Sequence, residues 1–158
     1  MNLFDAELQL DEDDPDGYHT SYLRTAALLG GEQAALNVFE LPPGQSVCPY
    51  HYESAEEEWI VVLTGRPTLR TPEGETELRP WDCAFCPAGE AGAHKVTNNS
   101  DEPARIFIWS NHTVPGTTVY PDSGKVGAWP PGKLFRIADE VDYWDGEVAT
   151  DSGSADGA

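Results

Sequence analysis

The stretch PYHYESAEEEWIVVLTG, from Pro49 to Gly65, combines a histidine, four carboxylates and a run of β-forming residues within seventeen positions. Carboxylates that cluster beside a strand repel one another, so they are normally kept in water. This stretch is therefore either an ordinary solvated turn or a place where a cation collects the charges. The fold around it decides which interpretation is the better one.

Short segments rich in β-forming residues surround this stretch and are separated by turn residues. The clearest are AALNVFEL (34–41), EWIVVLT (58–64), CAFCP (83–87) and ARIFIWS (104–110), and a further strand is predicted over YLRTAALL (22–29). The separating segments LPPGQ, TPEGE and NNSDEP supply the glycine, proline and asparagine that tight turns require. Strands at this spacing predict an all-β fold, an antiparallel sandwich or barrel.

The composition bounds the size and the partners of this fold. At 158 residues the chain has the length of one domain. Its 28 acidic and 9 basic residues give a formal net charge of -19, which repels nucleic acid and anionic membrane surfaces, so we expect neither as a partner. A hydrophobic fraction of 39% is too high for a disordered acidic chain, so the acidic residues are expected to cover the surface of a folded one.

The acid excess has two interpretations, an acidic protein of ordinary habitat and a halophilic protein adapted to high salt. The second is favoured because lysine is nearly absent. On this hypothesis, the melting temperature rises steadily from about 0.1 M to about 2 M potassium chloride, since the Debye length falls from about 10 Å at 0.1 M to about 3 Å at 1 M and screens the self-repulsion. A thermal melt in each salt concentration checks this, and an unchanged melting temperature would remove the support for salt adaptation.

The start of the chain and the cysteines indicate the compartment. The opening MNLFDAELQLDEDD has neither a basic start nor an apolar run, so we expect a cytoplasmic protein with reduced thiols. Cys83 and Cys86 form a Cys-X-X-Cys, but they lie in an apolar segment that reads as a strand. Residues three apart on a strand face opposite sides, so both are predicted to be core cysteines rather than a zinc or redox pair.

The opening stretch can now be placed on strands. His51 and Glu53 are two residues apart on one strand and share a face, and we expect the loop 54–57 to form a hairpin that sets Glu58 opposite Glu53. A divalent cation would turn the repulsion of these carboxylates into attraction. His94, which heads HKVTN behind a glycine-rich loop, is the candidate fourth ligand from another strand. Glu56 and Glu57 are expected to be a solvated acidic turn.

Two motifs in this region resemble those of the cupin superfamily. In the first, Gly44 is followed by His51, Glu53, Glu58 and Gly65, with Glu53 in the place of the second histidine and one extra residue after Gly44. In the second, Pro87 and Gly89 precede His94 and Asn98; Trp81 stands where the motif begins with glycine, and the loop before His94 is two residues longer. The resemblance covers roughly 41–110 and is closest to small single-domain cupins of the conserved-barrel type.

The resemblance implies an antiparallel cupin β-barrel (a double-stranded β-helix, or jelly roll) that holds one divalent metal ion in its mouth. The implied ligands in this chain are His51, Glu53, Glu58 and His94. A set of two imidazoles and two carboxylates favours manganese, iron or zinc over copper. The resemblance also implies a homodimer, formed through an outer sheet or an exchanged terminal strand. The expected domain organisation is an acidic N-terminal segment (1–19), the barrel (20–121), a C-terminal extension packed on it (122–148) and a disordered tail (149–158).

The function that follows is a metal-binding cupin that acts on or binds a small oxygenated molecule in the barrel mouth. One alternative is an enzyme, either a sugar or sugar-phosphate isomerase or an iron dioxygenase; the other is a non-catalytic cupin that binds a small molecule. Basic residues at the mouth could hold an anionic substrate, and Arg66, Arg70, Lys95 and Arg105 are the candidates; otherwise Arg66 and Arg105 pair with surface acids.

Overall fold

The computed structural model of this protein describes residues 1–10, 13–111 and 113–147, so the predicted disordered tail (149–158) lies outside the described residues. The described chain is mostly β, as the sequence predicts. Its strands are β1 (Gln9–Leu10), β2 (Ser21–Arg24), β3 (Ala34–Leu41), β4 (Tyr52–Glu53), β5 (Glu58–Thr64), β6 (Thr68–Thr71), β7 (Gly74–Glu77), β8 (Cys83–Cys86), β9 (Lys95–Thr97), β10 (Ala104–Asn111), β11 (Gly116–Tyr120), β12 (Lys125–Trp129) and β13 (Lys133–Arg136). One short helix, α1 (Thr25–Leu29), follows β2, and 3-10 turns occupy Glu90–Gly92, Pro121–Ser123 and Ile137–Asp139.

The strands form two layers. The first layer is a six-stranded antiparallel sheet in the order β1-β2-β3-β10-β5-β8. The second contains the sheets β13-β12-β11-β4 and β7-β6-β9. Single bridges from Ser46 to Thr97 and from His51 to His94 connect these two sheets, because the segment 46–51 that leads into β4 runs beside β9.

Apolar side chains from both layers meet in one core. Leu41, Ile60 and Ile106 come from the first layer, and Leu69 and Val96 come from the second. In β10 the alternation of buried and half-buried residues is complete along the strand, as expected for a strand with one face on a core. The layers form an open sandwich that is consistent with a jelly roll; the closed barrel stays a prediction.

The predicted strand over 22–29 is only half correct, because the chain turns into α1 after Arg24. The segment TAALL consists mainly of alanine and leucine, which are strong helix formers. Gly30 ends the helix in the left-handed region, at φ 81°, and its N–H donates to the carbonyls of Ala26 and Ala27. Local helix propensity and a glycine cap therefore override the β pattern of the preceding residues.

The cysteine prediction is confirmed for one residue and wrong for the other. Cys86 is buried in the core, whereas Cys83 is exposed. The two lie at opposite ends of β8, and their odd spacing places them on opposite faces of the sheet, of which only one faces the core.

The ends of the described chain extend the two layers. In the acidic N-terminal segment, β1 pairs with β2, and the backbone carbonyl of Phe4 accepts a hydrogen bond from Arg105 at 2.6 Å. In the C-terminal extension, β12 and β13 continue the second layer beyond β11. Residues 133–147 are exposed along their whole length. Among the described residues, no helix has the length and apolar character needed to cross a membrane.

Candidate metal centre

Two buried histidines face each other across neighbouring strand segments of the second layer. His51 lies just before β4 and His94 just before β9, and their backbones exchange hydrogen bonds of 3.1 and 2.8 Å. Directly opposed residues of an antiparallel pair carry their side chains on the same face. The two imidazole centroids are accordingly 4.7 Å apart, and the residues are 7% and 3% exposed.

Glu58 reaches the same point from the other layer. It is the first residue of β5, and its Oε2 lies 3.0 Å from Nε2 of His94 and 4.0 Å from Nε2 of His51. One ligand atom from each of His51, Glu58 and His94 can be chosen so that all three lie within 4.8 Å of one another. These three residues of the predicted set therefore form one cluster, which could hold a metal ion.

The backbone fixes how the two imidazoles are presented. Nδ1 of His51 lies 3.0 Å from the carbonyl oxygen of Pro49, and Nδ1 of His94 lies 2.9 Å from that of Gly92. When each Nδ1–H donates to its carbonyl, Nε2 carries the lone pair and points into the cluster. This arrangement of a ligating histidine is common in metal sites, because the second hydrogen bond sets both the tautomer and the ring orientation. The donor set therefore fits a divalent ion.

Glu53 contacts His51 but is not one of the three clustered residues. Its Oε1 lies 3.1 Å from Nε2 of His51, as expected for two residues that share a strand face. The predicted hairpin between Glu53 and Glu58 is wrong, because Glu53 pairs with Thr118 in β11 whereas Glu58 pairs with Ser110 and Cys86. The loop 54–57 crosses from one layer to the other instead of turning back on itself. The role of Glu53 as a ligand stays a prediction.

The acidic turn is partly ordered by side-chain contacts. Glu56 accepts a hydrogen bond from the backbone N–H of Thr113, and the N–H of Glu57 donates to Asn111. These contacts tie the turn to the last residue of β10 and to the loop that follows it. Neither acid is among the three clustered residues; Glu57 is exposed, as a solvated turn requires, whereas Glu56 is half-buried.

The groups around the two histidines favour the positively charged form of each imidazole. Burial lowers the pKa of His51, but the sulfur of Cys48 and the carboxylate of Glu53 outweigh it and raise this pKa above its ordinary value. Burial likewise lowers the pKa of His94, and Cys86 together with Glu58 raises it. In the metal-free protein both histidines hold their protons more tightly than a free imidazole does.

Metal binding at this cluster should therefore release protons. A ligating imidazole must give up its Nε2 proton, so a cation competes with protons, and a raised histidine pKa extends this competition above the ordinary value of about 6.5. We expect the affinity for manganese or zinc to fall as the pH is lowered from about 8.5 to about 6. Calorimetric titrations in buffers of different ionisation enthalpy measure the released protons, and a pH-independent affinity would contradict the prediction.

One cavity opens at the cluster, and a second adjoins the first. The smaller, of about 210 Å³, is lined by His51, Glu58 and His94 together with Cys48 and mainly apolar side chains. The larger, of about 530 Å³, is lined by β2, α1 and β3 and is more open. Asn37, Phe39 and Val47 line both, so the two cavities share a wall. We refer to them as the inner and the outer chamber.

Two further side chains contact His51, and the sequence analysis gave neither a role at the cluster. Sγ of Cys48 lies 3.4 Å from Nδ1 of His51, and the ring of Tyr120 stacks at a centroid distance of 6.0 Å. Tyr120 comes from β11, so its position depends on the pairing of β11 with β4. Only Cys48 could have been found from sequence, because it precedes His51 by three residues.

The basic residues that the sequence proposed for anion binding are engaged elsewhere. Arg66 pairs with Glu77, Arg70 with Asp122 and Arg105 with Glu40. The ammonium group of Lys95 lies 3.4 Å from the hydroxyl of Tyr18. The surface-pair interpretation is therefore confirmed for Arg66 and Arg105, and Arg70 is paired as well.

Comparisons with known proteins agree with this architecture. Residues 37–110 match a family described as the cupin domain. No curated protein matches the chain. Among solved structures, the chain is similar to a sugar phosphate isomerase of the cupin superfamily from Silicibacter pomeroyi, with 27% identity, 92% of this chain and 97% of that chain covered, and a TM-score of 0.78.

Two more distant structures share the fold. One is a candidate sugar phosphate isomerase from Acidithiobacillus ferrooxidans, with 20% identity and a TM-score of 0.79. The aligned region covers 87% of this chain and 90% of that chain. The other is a polyketide cyclase from Streptomyces resistomycificus, with 23% identity and a TM-score of 0.57. The aligned region covers 70% of this chain and 78% of that chain.

Proposed function

Because this chain carries a small cupin domain, we propose that it binds one divalent metal ion through His51, Glu58 and His94, with Glu53 as the fourth ligand, and acts on or binds a small oxygenated molecule in the inner chamber. The observation that carries the proposal is the convergence of two oriented Nε2 atoms and a carboxylate oxygen from two different layers. In the metal-free protein, protons on the imidazoles offset the carboxylate charge, and a divalent cation would take the place of those protons.

The donor set limits the metal and its chemistry. Imidazole nitrogens with one or two carboxylates suit manganese, iron or zinc. The three clustered residues include no thioether or thiolate, the ligands that select copper. A bound ion would supply a Lewis acid that polarises a carbonyl or hydroxyl oxygen of the ligand. The protein's own part is to orient the imidazoles through Pro49 and Gly92 and to enclose the ligand in a mainly apolar chamber.

An isomerase acting on a sugar or sugar phosphate is the first candidate for the reaction. It is supported by the similarity, at 27% identity over 92% of this chain, to the structure named a sugar phosphate isomerase. A non-catalytic binding protein is the second candidate. It is supported by the lining of the inner chamber, where among the described residues the only histidines are those of the cluster itself. An iron dioxygenase has no observation that favours it over these two.

Two measurements on one preparation test the proposal. Elemental analysis of the purified protein should find close to one equivalent of manganese, iron or zinc per chain. The metal-loaded protein is then incubated with a panel of aldose and ketose phosphates, and interconversion is followed by NMR. Turnover that disappears on chelation supports the isomerase. Bound metal without turnover supports the binding protein, and absence of any retained or added metal contradicts the proposal as a whole.

A further inference from the structure

An arginine to which the sequence analysis gave no role lines the outer chamber. Arg24 is the last residue of β2 and pairs with Asn37 of β3, so the two side chains share one face of the first layer. Both line the outer chamber, and Asn37 lines the inner chamber too. The cation and the amide therefore stand side by side on the wall that leads to the metal cluster.

Among the described residues, the side-chain polar groups of this pair make no hydrogen bond or ion pair with the protein. Among the described residues, Arg24 has no carboxylate within ion-pair distance, although Asp14 and Glu32 line the same chamber; its guanidinium lies 5.4 Å from the ring centroid of Tyr22. Within the same part of the chain, the side-chain amide of Asn37 makes no hydrogen bond. In a protein with 28 acidic residues, a cation that faces a cavity without an acid against it has its donors free for a ligand.

We infer that Arg24 and Asn37 bind the anionic group of the substrate, which is therefore a small oxygenated molecule bearing a phosphate monoester or a carboxylate. The inference rests on the proposed function, because it is the metal cluster that would receive the other end of the molecule. A guanidinium offers a planar fork of N–H donors that matches either anion, and the neighbouring amide adds a donor of its own.

The charge of the whole protein favours a local cation at any site that binds an anion. A net charge of -19 repels an anionic ligand over distances of a Debye length, so binding needs a local reversal of the potential. Arg66, Arg70 and Arg105 cannot provide it, because each is held by its own acid. Arg24 is the arginine that both lines the outer chamber and lacks an acidic partner among the described residues.

The test compares three probes that share a carbon skeleton: glycerol, glycerate and glycerol 3-phosphate. Calorimetry on the metal-loaded protein at constant ionic strength should show that the wild type binds at least one of the two anions more tightly than neutral glycerol. Arg24→Gln should weaken binding of the preferred anion about 10- to 100-fold, the range of a charge-assisted hydrogen bond, while leaving glycerol binding unchanged. Tighter binding of glycerol 3-phosphate would identify the anionic group as a phosphate, and tighter binding of glycerate would identify it as a carboxylate.

Matched variants separate binding from folding. Arg136→Gln removes the same charge from β13 of the other layer, where Arg136 is exposed and has no ion pair among the described residues; it should leave all three affinities unchanged. Arg24→Lys should recover part of the anion affinity, because it restores the charge without the planar fork. Asn37→Ala should weaken binding of the same anion. A lower melting temperature in Arg24→Gln with anion affinity unchanged would mean that Arg24 is structural and would overturn the inference.

The same experiment distinguishes the inference from the proposed function. Metal content is measured in every variant and should stay at the wild-type level, since neither Arg24 nor Asn37 is in the metal cluster. Wild-type protein that retains metal but shows no preference for an anion overturns the inference and leaves the metal site standing. If no metal is retained, the proposed function fails, and the anion preference is then judged on the metal-free protein.

Discussion

Replacing His51 or His94 with alanine is expected to abolish metal retention. Both Nε2 atoms point into the cluster because Nδ1 of each ring is held by a backbone carbonyl, so each substitution removes an oriented ligand atom. Loss of the hydrogen bond that orients a ligating histidine already lowers metal affinity about 10- to 100-fold, and loss of the ligand itself should lower it further. Elemental analysis after gel filtration, with circular dichroism to confirm folding, gives the result.

The other variants of this series measure how much Glu53 contributes to metal binding. Glu53→Gln should weaken binding less than either histidine variant, since water can complete the coordination shell. Glu53→His is expected to tighten binding of softer ions such as nickel or copper. His19→Ala is the matched control, because His19 is a partly exposed histidine that contacts Asp16 and is not part of the cluster. If folded His51→Ala and His94→Ala proteins keep the wild-type metal content, the cluster is not the site and the solvated-turn interpretation holds.

Replacing Gly92 with alanine is expected to damage both the fold and the metal centre. A Cβ added at Gly92 would lie 1.7 Å from the carbonyl oxygen of Pro87, a distance that no rotamer change can relieve because the obstacle is backbone. Gly92 also supplies the carbonyl that orients His94. Overpacking of this kind costs about 3 kcal/mol, which for a domain of this size lowers the melting temperature by about 6–12 °C.

Gly31→Ala is the control for this substitution. A Cβ at Gly31 comes no closer than 3.2 Å to its neighbours, so we expect a much smaller change in melting temperature and no change in metal content. Differential scanning calorimetry and elemental analysis of the two variants provide the comparison. An unchanged melting temperature and full metal retention in Gly92→Ala would show that the loop 87–92 can move without cost, contrary to this prediction.

Strand positions were predictable where the side-chain pattern is strong. β3 and β5 begin and end at the predicted residues, 34–41 and 58–64, because β-branched and aromatic residues are bounded there by turn residues. The partners of the strands were not predictable. The hairpin between Glu53 and Glu58 was inferred from a loop of suitable length, but loop length does not reveal whether the chain returns to its own sheet or crosses to the other layer.

The candidate site was predictable only as far as local motifs extend. His51, Glu58 and His94 stand at motif positions, and the structure brings them together. Arg24 has no motif, and its place in the chamber depends on the register between β2 and β3. One sequence signal could have drawn attention to it: there is no acidic residue between Asp16 and Glu32, in a chain where acids are abundant.

The position of Glu58 in one layer and of the two histidines in the other has a consequence for unfolding. An ion held by all three would act as a cross-link between the layers, and the unfolded chain, in which these residues are far apart, could not retain it. By linkage, such an ion stabilises the folded state by about 4 kcal/mol when its free concentration is about 1,000 times its dissociation constant. Chelation would then lower protection against hydrogen exchange first where the two sheets meet, at the strand segments around His51 and His94, before the outer strands of either sheet are affected.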